Sequence, residues 1–403
     1  MRQFRQQDNA HWYHETQRSG SPEILAAQVT DENNSTTGCT IGNSLHGESI
    51  REAGIFLLGL ASSIPSELND SLRYHATILS ASDAMYQALF PPTVELNHDN
   101  TFSSYDRLSS ALTVAQVTGV QRLCSHYAAR LTPLSSPDAS RESNMRLTQI
   151  TQYARQLASQ PTLIDRHALQ QLAEVGLTDT DIIVLSQIIG FVGYQARVVA
   201  ALSALAGYPA VMLPGFPRME DATSGLIPTT LPPWQGWLPS LTEHDDISSE
   251  QPTVENQITL RELLEHHQTS FHAYSTIIAR QPPPQLIPPD WLALVSLVTA
   301  RINGSVYCQA SYQQQWQQLT NNSSLITALV AGIDNALATQ TGEQITHLLI
   351  HVSAELTRAP ERFNHQHLSH LSALDVSHKQ LLSIIFSAAT AGWTNRLMQT
   401  LGQ

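Results

Sequence analysis

The sequence predicts an all-α protein made of two tandem helical-bundle repeats joined by a proline-rich connector. Three observations favour this fold class. Apolar residues recur at helical spacing from about Glu52 onward, strand signals are scarce, and the two halves of the chain resemble each other. With 403 residues and a mass of 44.3 kDa, the chain is long enough for two domains.

Residues 1–50 are predicted to be a loosely ordered N-terminal segment. The stretch Thr30–Ser44 within it is polar, contains glycine and has no sustained period. Residues 51–207 are predicted to form the first repeat. Inside this repeat, the apolar positions of Ser71–Leu89 indicate one helix, which a Pro-Pro pair ends.

Residues 208–254 are predicted to be the connector, because their prolines and glycines forbid a long helix. The aromatic residues Trp234 and Trp237 indicate that this connector lies along a protein surface. Residues 255–403 are predicted to form the second repeat.

The internal similarity is the strongest organisational signal. Placing Leu157–Pro161 over Leu356–Pro360, an offset of 199 residues (356 − 157), aligns further positions without a gap. The aligned pairs include Gly193 with Gly392, Tyr194 with Trp393, Arg197 with Arg396, and Leu202 with Leu401. Upstream, at an offset of 185 residues (312 − 127), Tyr127 meets Tyr312. We therefore predict two copies of one helical domain.

Arg197 and Arg396 each follow an aromatic residue by three positions, so the two side chains share one helix face. Two interpretations are open. Each arginine either holds a buried carboxylate or carbonyl inside the fold, or contributes to a pocket. The possible pocket residues are Tyr307, Arg396, Trp393, Tyr127 and Arg197.

The charge balance argues against a nucleic-acid partner. The chain has 21 Lys and Arg against 34 Asp and Glu, a formal charge of −13, and no basic cluster. Binding to phosphates requires such a cluster.

Neither a signal peptide nor a membrane span is expected. The N-terminal stretch MRQFRQQDNAHWYHE has no apolar segment. The longest apolar stretch, residues 182–196, contains polar residues and falls short of the ~20 apolar residues that span a bilayer. The three cysteines of the chain are too scattered for a disulfide framework. We therefore predict a cytoplasmic protein.

One segment of the second repeat resembles a known family. INGSVYC, Ile302–Cys308, followed by Tyr312, is similar to the signature of the alkylhydroperoxidase D-like and carboxymuconolactone decarboxylase superfamily, roughly Asn-Gly-Cys-x-Tyr-Cys-x-x-x-His. The segment 355–402 resembles the peroxidase-related branch of that superfamily. VGYQARVVAALSALAG in the first repeat is similar to the same family, so the resemblance covers roughly residues 55–207 and 258–402.

The resemblance implies an all-α bundle that assembles as a trimer or hexamer, so we expect a homo-oligomer, with a trimer for a fused pair. It also implies thiol-dependent peroxide reduction in one branch and lactone decarboxylation in another. No cofactor is expected; the partners would be a peroxide or another small-molecule substrate and a thiol reductant.

Position by position, the chain departs from the family pattern. The family's first cysteine falls on Ser305, its second on Cys308 and its histidine on Tyr312, while its glutamate falls near Ala293. In the first repeat the two cysteine positions hold valine and leucine, so that copy has no catalytic group.

The sequence around Cys308 allows a limited activation of its thiol. Asn303-Gly304 is expected to begin a helix that runs to about Leu319, which places Cys308 in the first two turns. The helix dipole favours the thiolate by ~0.3–1 kcal/mol, less than one pKa unit. Ser305 and Tyr312 lie on the same face and can donate hydrogen bonds.

Three functions remain open at this stage. The leading one is a peroxidase-like, antioxidant oxidoreductase in which Cys308 becomes a sulfenic acid and an external thiol regenerates it. The second is a non-catalytic scaffold or small-ligand-binding oligomer, in which Cys308 packs as a small apolar residue. A third is a decarboxylase or isomerase on a cyclic acid, for which the expected base is missing. No metal site is predicted, because His11, His14 and Glu15 lack further ligands nearby.

Overall fold

A computed structural model describes residues 54–211, 219–223, 228, 230–241, 258–280, 282–320, 322–339 and 344–403. Over these ranges the secondary structure is helical and has no strand; one isolated bridge pairs Gly236 with Gly402. The all-α prediction is therefore confirmed. The predicted N-terminal segment 1–50 lies outside the described residues, which belong to one compact unit, Leu45–Gln403.

The first half of the described chain, residues 54–211, contains seven α-helices in the described ranges. They are α1 (Ser66–Tyr74), α2 (Ala76–Leu89), α3 (Ser104–Thr118), α4 (Gln121–Leu131), α5 (Arg141–Ser159), α6 (Arg166–Glu174) and α7 (Asp179–Leu205). Short 3₁₀ turns occupy Leu60–Ser62 and Pro161–Leu163.

The second half, residues 258–403, continues the helical numbering. Its helices are α8 (Leu260–Leu264), α9 (Gln268–Ala279), α10 (Pro289–Asn303), α11 (Val306–Leu319), α12 (Ser323–Ala331), α13 (Ile333–Thr339), α14 (Gln344–Arg358), α15 (His365–Ser372) and α16 (His378–Thr400). Its 3₁₀ turns are Glu265–His267 and Pro360–Arg362.

Both halves end with the same order of elements. A long helix (α5 or α14) leads into a 3₁₀ turn that begins at a proline, then a short helix, then the longest helix of that half. Earlier in each half, two helices meet at a glycine in the left-handed conformation, Gly119 with φ 68° and Gly304 with φ 77°. Such a φ favours glycine, because a Cβ atom is disfavoured there.

The two longest helices, α7 and α16, pack against each other in the middle of the molecule. Residues on every face of α7 are buried, which explains why its sequence is apolar all round. By length and hydropathy α7 alone, among the described helices, is a candidate membrane span, but all of its candidate window is buried inside the protein. Burial of this kind is what the core helix of a soluble protein shows.

The prediction of a single helix over Ser71–Leu89 is wrong in one respect, because the helical structure is interrupted at His75, between α1 and α2. The buried His75 ring contacts the Ser71 carbonyl through Nδ1 at 2.8 Å and Ser383 Oγ through Nε2 at 3.1 Å. These contacts hold His75 out of the helical conformation, with φ −96° and ψ 15°. Part of the cause therefore lies in α16, far away in sequence.

Described parts of the connector lie against the second half. Trp234 is buried and donates its indole N–H to the Met398 carbonyl at 2.8 Å. The backbone N–H of Trp237 donates to the Leu401 carbonyl at 2.9 Å. These bonds fasten the connector to the end of α16.

Candidate functional site

The candidate site lies where α10 turns into α11, a place that we call the second corner (Gly304 and Ser305). Gly304 ends α10 and donates its N–H to the Ala300 carbonyl at 2.9 Å. Ser305 is the N-cap residue of α11. The prediction that Asn303-Gly304 begins this helix is therefore wrong, because Asn303 is the last residue of α10 and Gly304 takes the left-handed conformation that ends it.

Close packing is a second reason why glycine occupies position 304. A Cβ atom at Gly304 would lie 2.4 Å from Thr162 Cγ2 and 2.6 Å from Ala222 Cβ. Thr162 belongs to the 3₁₀ turn of the first half, and Ala222 belongs to the connector. Two separate segments of the chain therefore cover this corner.

Cys308 lies in the first turn of α11 and is 4% exposed, and Ser305 beside it is 1% exposed. The polar side chains of Ser305 and Asn395 favour the thiolate of Cys308 and act to lower its pKa. Burial acts in the opposite direction and is the larger effect, so the pKa of the Cys308 thiol is raised. The sulfur is thus less acidic than that of an exposed cysteine.

A pair of buried asparagines completes the polar part of the site. Asn303 at the end of α10 donates its Nδ2 to Asn395 Oδ1 of α16 at 3.1 Å. Asn395 Nδ2 is buried and makes no hydrogen bond among the described residues, although Asn395 lies close enough to Cys308 to favour its thiolate. The sequence analysis missed both asparagines as site residues, although Asn303 stands inside the quoted family motif.

Two tyrosines lie close enough to Cys308 to interact with it electrostatically. Tyr312, one turn further along α11, is partly buried, and desolvation holds its pKa well above the ordinary value, with further increases from Cys308 and Tyr274. The Tyr274 hydroxyl shares a hydrogen bond of 2.9 Å with Thr394 Oγ1. The structure therefore brings together the predicted residues Ser305, Cys308 and Tyr312, and it adds Tyr274 from α9.

Among the described residues, no cation contributes to the pKa shift of Cys308. Arg301 of α10 binds main-chain carbonyls, since its Nε donates to the Leu329 carbonyl at 3.1 Å and its Nη1 donates to the Ala222 carbonyl at 2.8 Å. A cation beside the sulfur is what normally lowers the pKa of a peroxide-reactive cysteine.

Residues 219–223 of the connector form a strap across the second corner. The Ala222 N–H donates to the Ile302 carbonyl at 2.9 Å, and the Met219 N–H donates to the Arg358 carbonyl at 3.1 Å. Asp221 forms an ion pair with the Arg358 guanidinium, including a bond from Nε of 2.6 Å. The strap therefore covers one side of this corner.

The two arginines of the predicted pocket bind main-chain carbonyls inside the fold. Arg197 donates through Nη1 to the Gly193 carbonyl at 2.9 Å and through Nη2 to the Thr357 carbonyl at 2.6 Å. Arg396 donates to Gly392, Leu157 and Ala158 carbonyls at 2.8, 3.2 and 2.8 Å. Of the two interpretations that the sequence left open, the contacts show the first.

Burial lowers the pKa of Arg197 to about 10. It lowers the pKa of Arg396 well below the ordinary value, and the charge of Arg197 adds to this effect. The carbonyls of Ala158 and Thr357 lie at the C-terminal ends of α5 and α14, where the helix dipole is negative and compensates a cation.

Tyr127 and Trp393 are core residues. The Tyr127 hydroxyl donates to Gln195 Oε1 at 2.6 Å, and the Trp393 indole N–H donates to Gln187 Oε1 at 3.1 Å. Both aromatic side chains are fully buried. Tyr307 on α11 is only partly buried. Trp393 also packs on Tyr274 of the Cys308 site, with ring centroids 4.9 Å apart.

In the first half, the corresponding place between α3 and α4 is the first corner (Gly119 and Val120). Cys124 in α4 has no acidic thiol, since burial raises its pKa to about 11. His126 contacts the Tyr86 hydroxyl at 2.6 Å, not Cys124. Burial, with a smaller contribution from the Arg130 charge, lowers the pKa of His126 to about 4.

Within the described ranges, no group of three or more His, Cys, Asp or Glu side chains is placed to hold a metal ion. His11, His14 and Glu15, which the sequence analysis considered as ligands, lie outside those ranges. No known family model matches the chain, and comparisons with curated proteins and with solved structures find no significant similarity.

Proposed function

We propose that the chain is a duplicated, alkylhydroperoxidase D-like helical protein that has lost the catalytic groups of that superfamily. It would act as a scaffold or a small-ligand-binding homo-oligomer. The observation that carries this proposal is the environment of Cys308, which is 4% exposed, has a raised thiol pKa and no cation among the groups that shift that pKa.

The chemistry of thiols explains why this environment opposes catalysis. The thiolate attacks a peroxide, and a thiol with a pKa near 8.5 is only about 3% thiolate at pH 7. Burial without a compensating cation reduces this fraction further. The strap also packs beside Gly304, where Ala222 leaves no room for a Cβ atom.

Support for the duplication comes from the repeated order of elements and from the two corner glycines. The residues that face the two corner glycines are also related to each other, by the offset of 199 residues (361 − 162). A Cβ at Gly119 would lie 3.1 Å from Glu361 of the second half, and one at Gly304 would lie 2.4 Å from Thr162 of the first half. Glu361 and Thr162 occupy matching positions in the two 3₁₀ turns.

Peroxide treatment followed by mass spectrometry tests the proposed loss of catalysis. A Cys39→Ser, Cys124→Ser chain would retain Cys308 as its single cysteine. We expect no sulfenic acid trapped by dimedone and no thiol-dependent peroxide consumption above that of a further Cys308→Ala variant. Rapid formation of a trapped sulfenic acid at Cys308 contradicts the proposal.

A second candidate function is a one-cysteine peroxidase, and the stabilising effect of Ser305 and Asn395 on the Cys308 thiolate favours it. The thiolate would attack the peroxide O–O bond, forming a sulfenic acid and releasing an alcohol or water after protonation. A first external thiol would convert the sulfenic acid to a mixed disulfide and water. A second thiol would release Cys308 and leave a disulfide of the reductant.

This second candidate makes its own prediction. If Asn395 stabilises the thiolate, Asn395→Leu would slow peroxide consumption by about tenfold, as expected for losing a hydrogen bond to a charged group. Asn335→Leu, which changes an asparagine outside the site, is the matched control. An Asn395→Leu chain that is as active as the wild type, or an inactive wild type, excludes this mechanism.

The cytoplasmic location and the trimer also remain proposals. The mass of the native assembly, measured by light scattering, tests the trimer directly. A monomer at micromolar concentration contradicts it.

A further inference from the structure

A cleft of about 350 Å³ lies at the first corner, between the two halves of the chain. Val199, Pro360 and Phe363 give it an apolar wall, while Arg122 and Glu361 supply charges of opposite sign. A volume of this size suits a small organic molecule. The cleft is separate from the Cys308 site, because no residue of the second corner lines it.

The second corner indicates why the first remains open. There the strap fills the space beside Gly304, and the acidic Asp221 of the strap binds Arg358. By the sequence offset, Arg358 corresponds to Ser159 and Thr162 corresponds to Glu361. At the first corner a carboxylate therefore stands where the second corner has a threonine, and a serine stands where the second corner has the guanidinium that binds the strap.

Glu361 is the buried charge of the cleft. Its side chain is 8% exposed, and its contact with Arg362 Nε is 3.3 Å long, to a guanidinium that is itself 53% exposed. Desolvation of the carboxyl raises the pKa of Glu361. A buried carboxylate in a cleft wall gains from a second, closer donor such as a ligand ammonium group.

The opposite charge is at the mouth of the cleft. Arg122 is exposed, and its guanidinium makes one long contact of 3.4 Å, to the Leu58 carbonyl. It lies in the first turn of α4, whose N-cap residue Val120 provides no side-chain hydrogen bond. Arg122 and the positive end of the α4 helix dipole favour a ligand carboxylate.

We propose that this cleft binds a small amino acid with an apolar side chain. Its ammonium group would bind Glu361, its carboxylate would face Arg122 and the start of α4, and its side chain would pack on Val199 and Phe363. This inference does not rest on the chemistry of Cys308.

Calorimetric titration of the full chain with three probes of one shape tests the proposal. Leucine carries both charges, isoamylamine carries only the ammonium group, and isocaproate carries only the carboxylate; methionine and phenylalanine extend the side-chain range. We expect an apolar amino acid to bind at millimolar concentration or below, more tightly than either singly charged probe.

Four variants locate the binding. Glu361→Gln and Ser125→Phe, which narrows the rim from an exposed position of α4, should each weaken amino-acid binding by about tenfold or more. Arg122→Gln should weaken the binding of leucine and leave the binding of isoamylamine unchanged. Glu174→Gln, which removes an exposed carboxylate outside the cleft, is the matched control and should change nothing.

Thermal unfolding of each variant confirms that it is folded before it is titrated. The proposal is overturned if no apolar amino acid binds, if isocaproate or isoamylamine binds as tightly as leucine, or if Glu361→Gln binds like the wild type.

Discussion

Arg197 and Arg396 hold the two halves of the protein together by reciprocal bonds. Arg197 of α7 binds the Thr357 carbonyl at the end of α14, and Arg396 of α16 binds the Ala158 carbonyl at the end of α5. The donors and the acceptors are related by the same offset of 199 residues (396 − 197 and 357 − 158). Each half thus fastens a helix end of the other.

Removing either arginine should therefore destabilise the whole described unit. Arg197→Met and Arg396→Met leave buried carbonyls without donors, and each unsatisfied group costs about 1–3 kcal/mol. We expect each variant to lose about 2–4 kcal/mol of unfolding free energy in urea. Arg166→Met, at an exposed position of α6, is the control and should lose under about 0.5 kcal/mol. Losses as small as the control contradict the proposed clamp.

Two glycines with a left-handed backbone allow the cost of backbone strain to be measured separately from the cost of side-chain crowding. Gly304→Ala should lose about 2–4 kcal/mol, because its new Cβ would meet Thr162 and Ala222 as well as adopt a φ of 77°. Gly59→Ala has a similar φ of 75° but no neighbour within 4 Å, so it should lose about 1–2 kcal/mol. Chemical denaturation measures both, and equal losses would show that the second corner is not closely packed.

We expect the ion pair of Asp221 with Arg358 to hold the strap in place over the second corner. Arg358 pairs with Asp221, whose side chain is 23% exposed, and with Asp334, whose side chain is 89% exposed. In the single-cysteine chain, Asp221→Asn should increase the rate at which Cys308 reacts with a thiol reagent. Asp334→Asn is the matched control and should not change this rate, because exposed ion pairs contribute little. Identical rates in the two variants indicate that the strap does not cover Cys308.

His126 should make stability fall at acidic pH. Its pKa is lowered from 6.5 to about 4 in the folded protein, so between these values the unfolded chain binds more protons. Stability is therefore complete above pH 6.5 and decreases as the pH falls towards 4. After allowance for solvent screening, we expect about 1 kcal/mol from this residue. Urea unfolding of His126→Gln at neutral and acidic pH should show a smaller loss than the wild type.

Sequence periodicity predicts the helical class and the aromatic–arginine face of α7 and α16, because these features repeat within one helix. It does not predict what Arg197 binds, since its acceptor Thr357 lies 160 positions away. The break at His75 was missed for the same reason, because Ser383 is 308 positions away.

The candidate site also contains residues that the sequence predicts and residues that only the tertiary fold brings in. Ser305, Cys308 and Tyr312 lie within two turns of one helix, so their spacing alone places them together. Asn395 and Tyr274 belong to other helices, α16 and α9, and approach Cys308 only through the tertiary fold, which no local pattern encodes. The burial that raises the thiol pKa is likewise a product of the tertiary fold.

The thiol pKa of Cys308 tests the central claim most directly. It can be measured in the single-cysteine chain from the pH dependence of the alkylation rate, with thiolate absorbance as a second signal. The account predicts a pKa above about 8.5, the value of a free cysteine. A value near or below 7, with fast alkylation at neutral pH, would contradict the claim that this cysteine is unactivated.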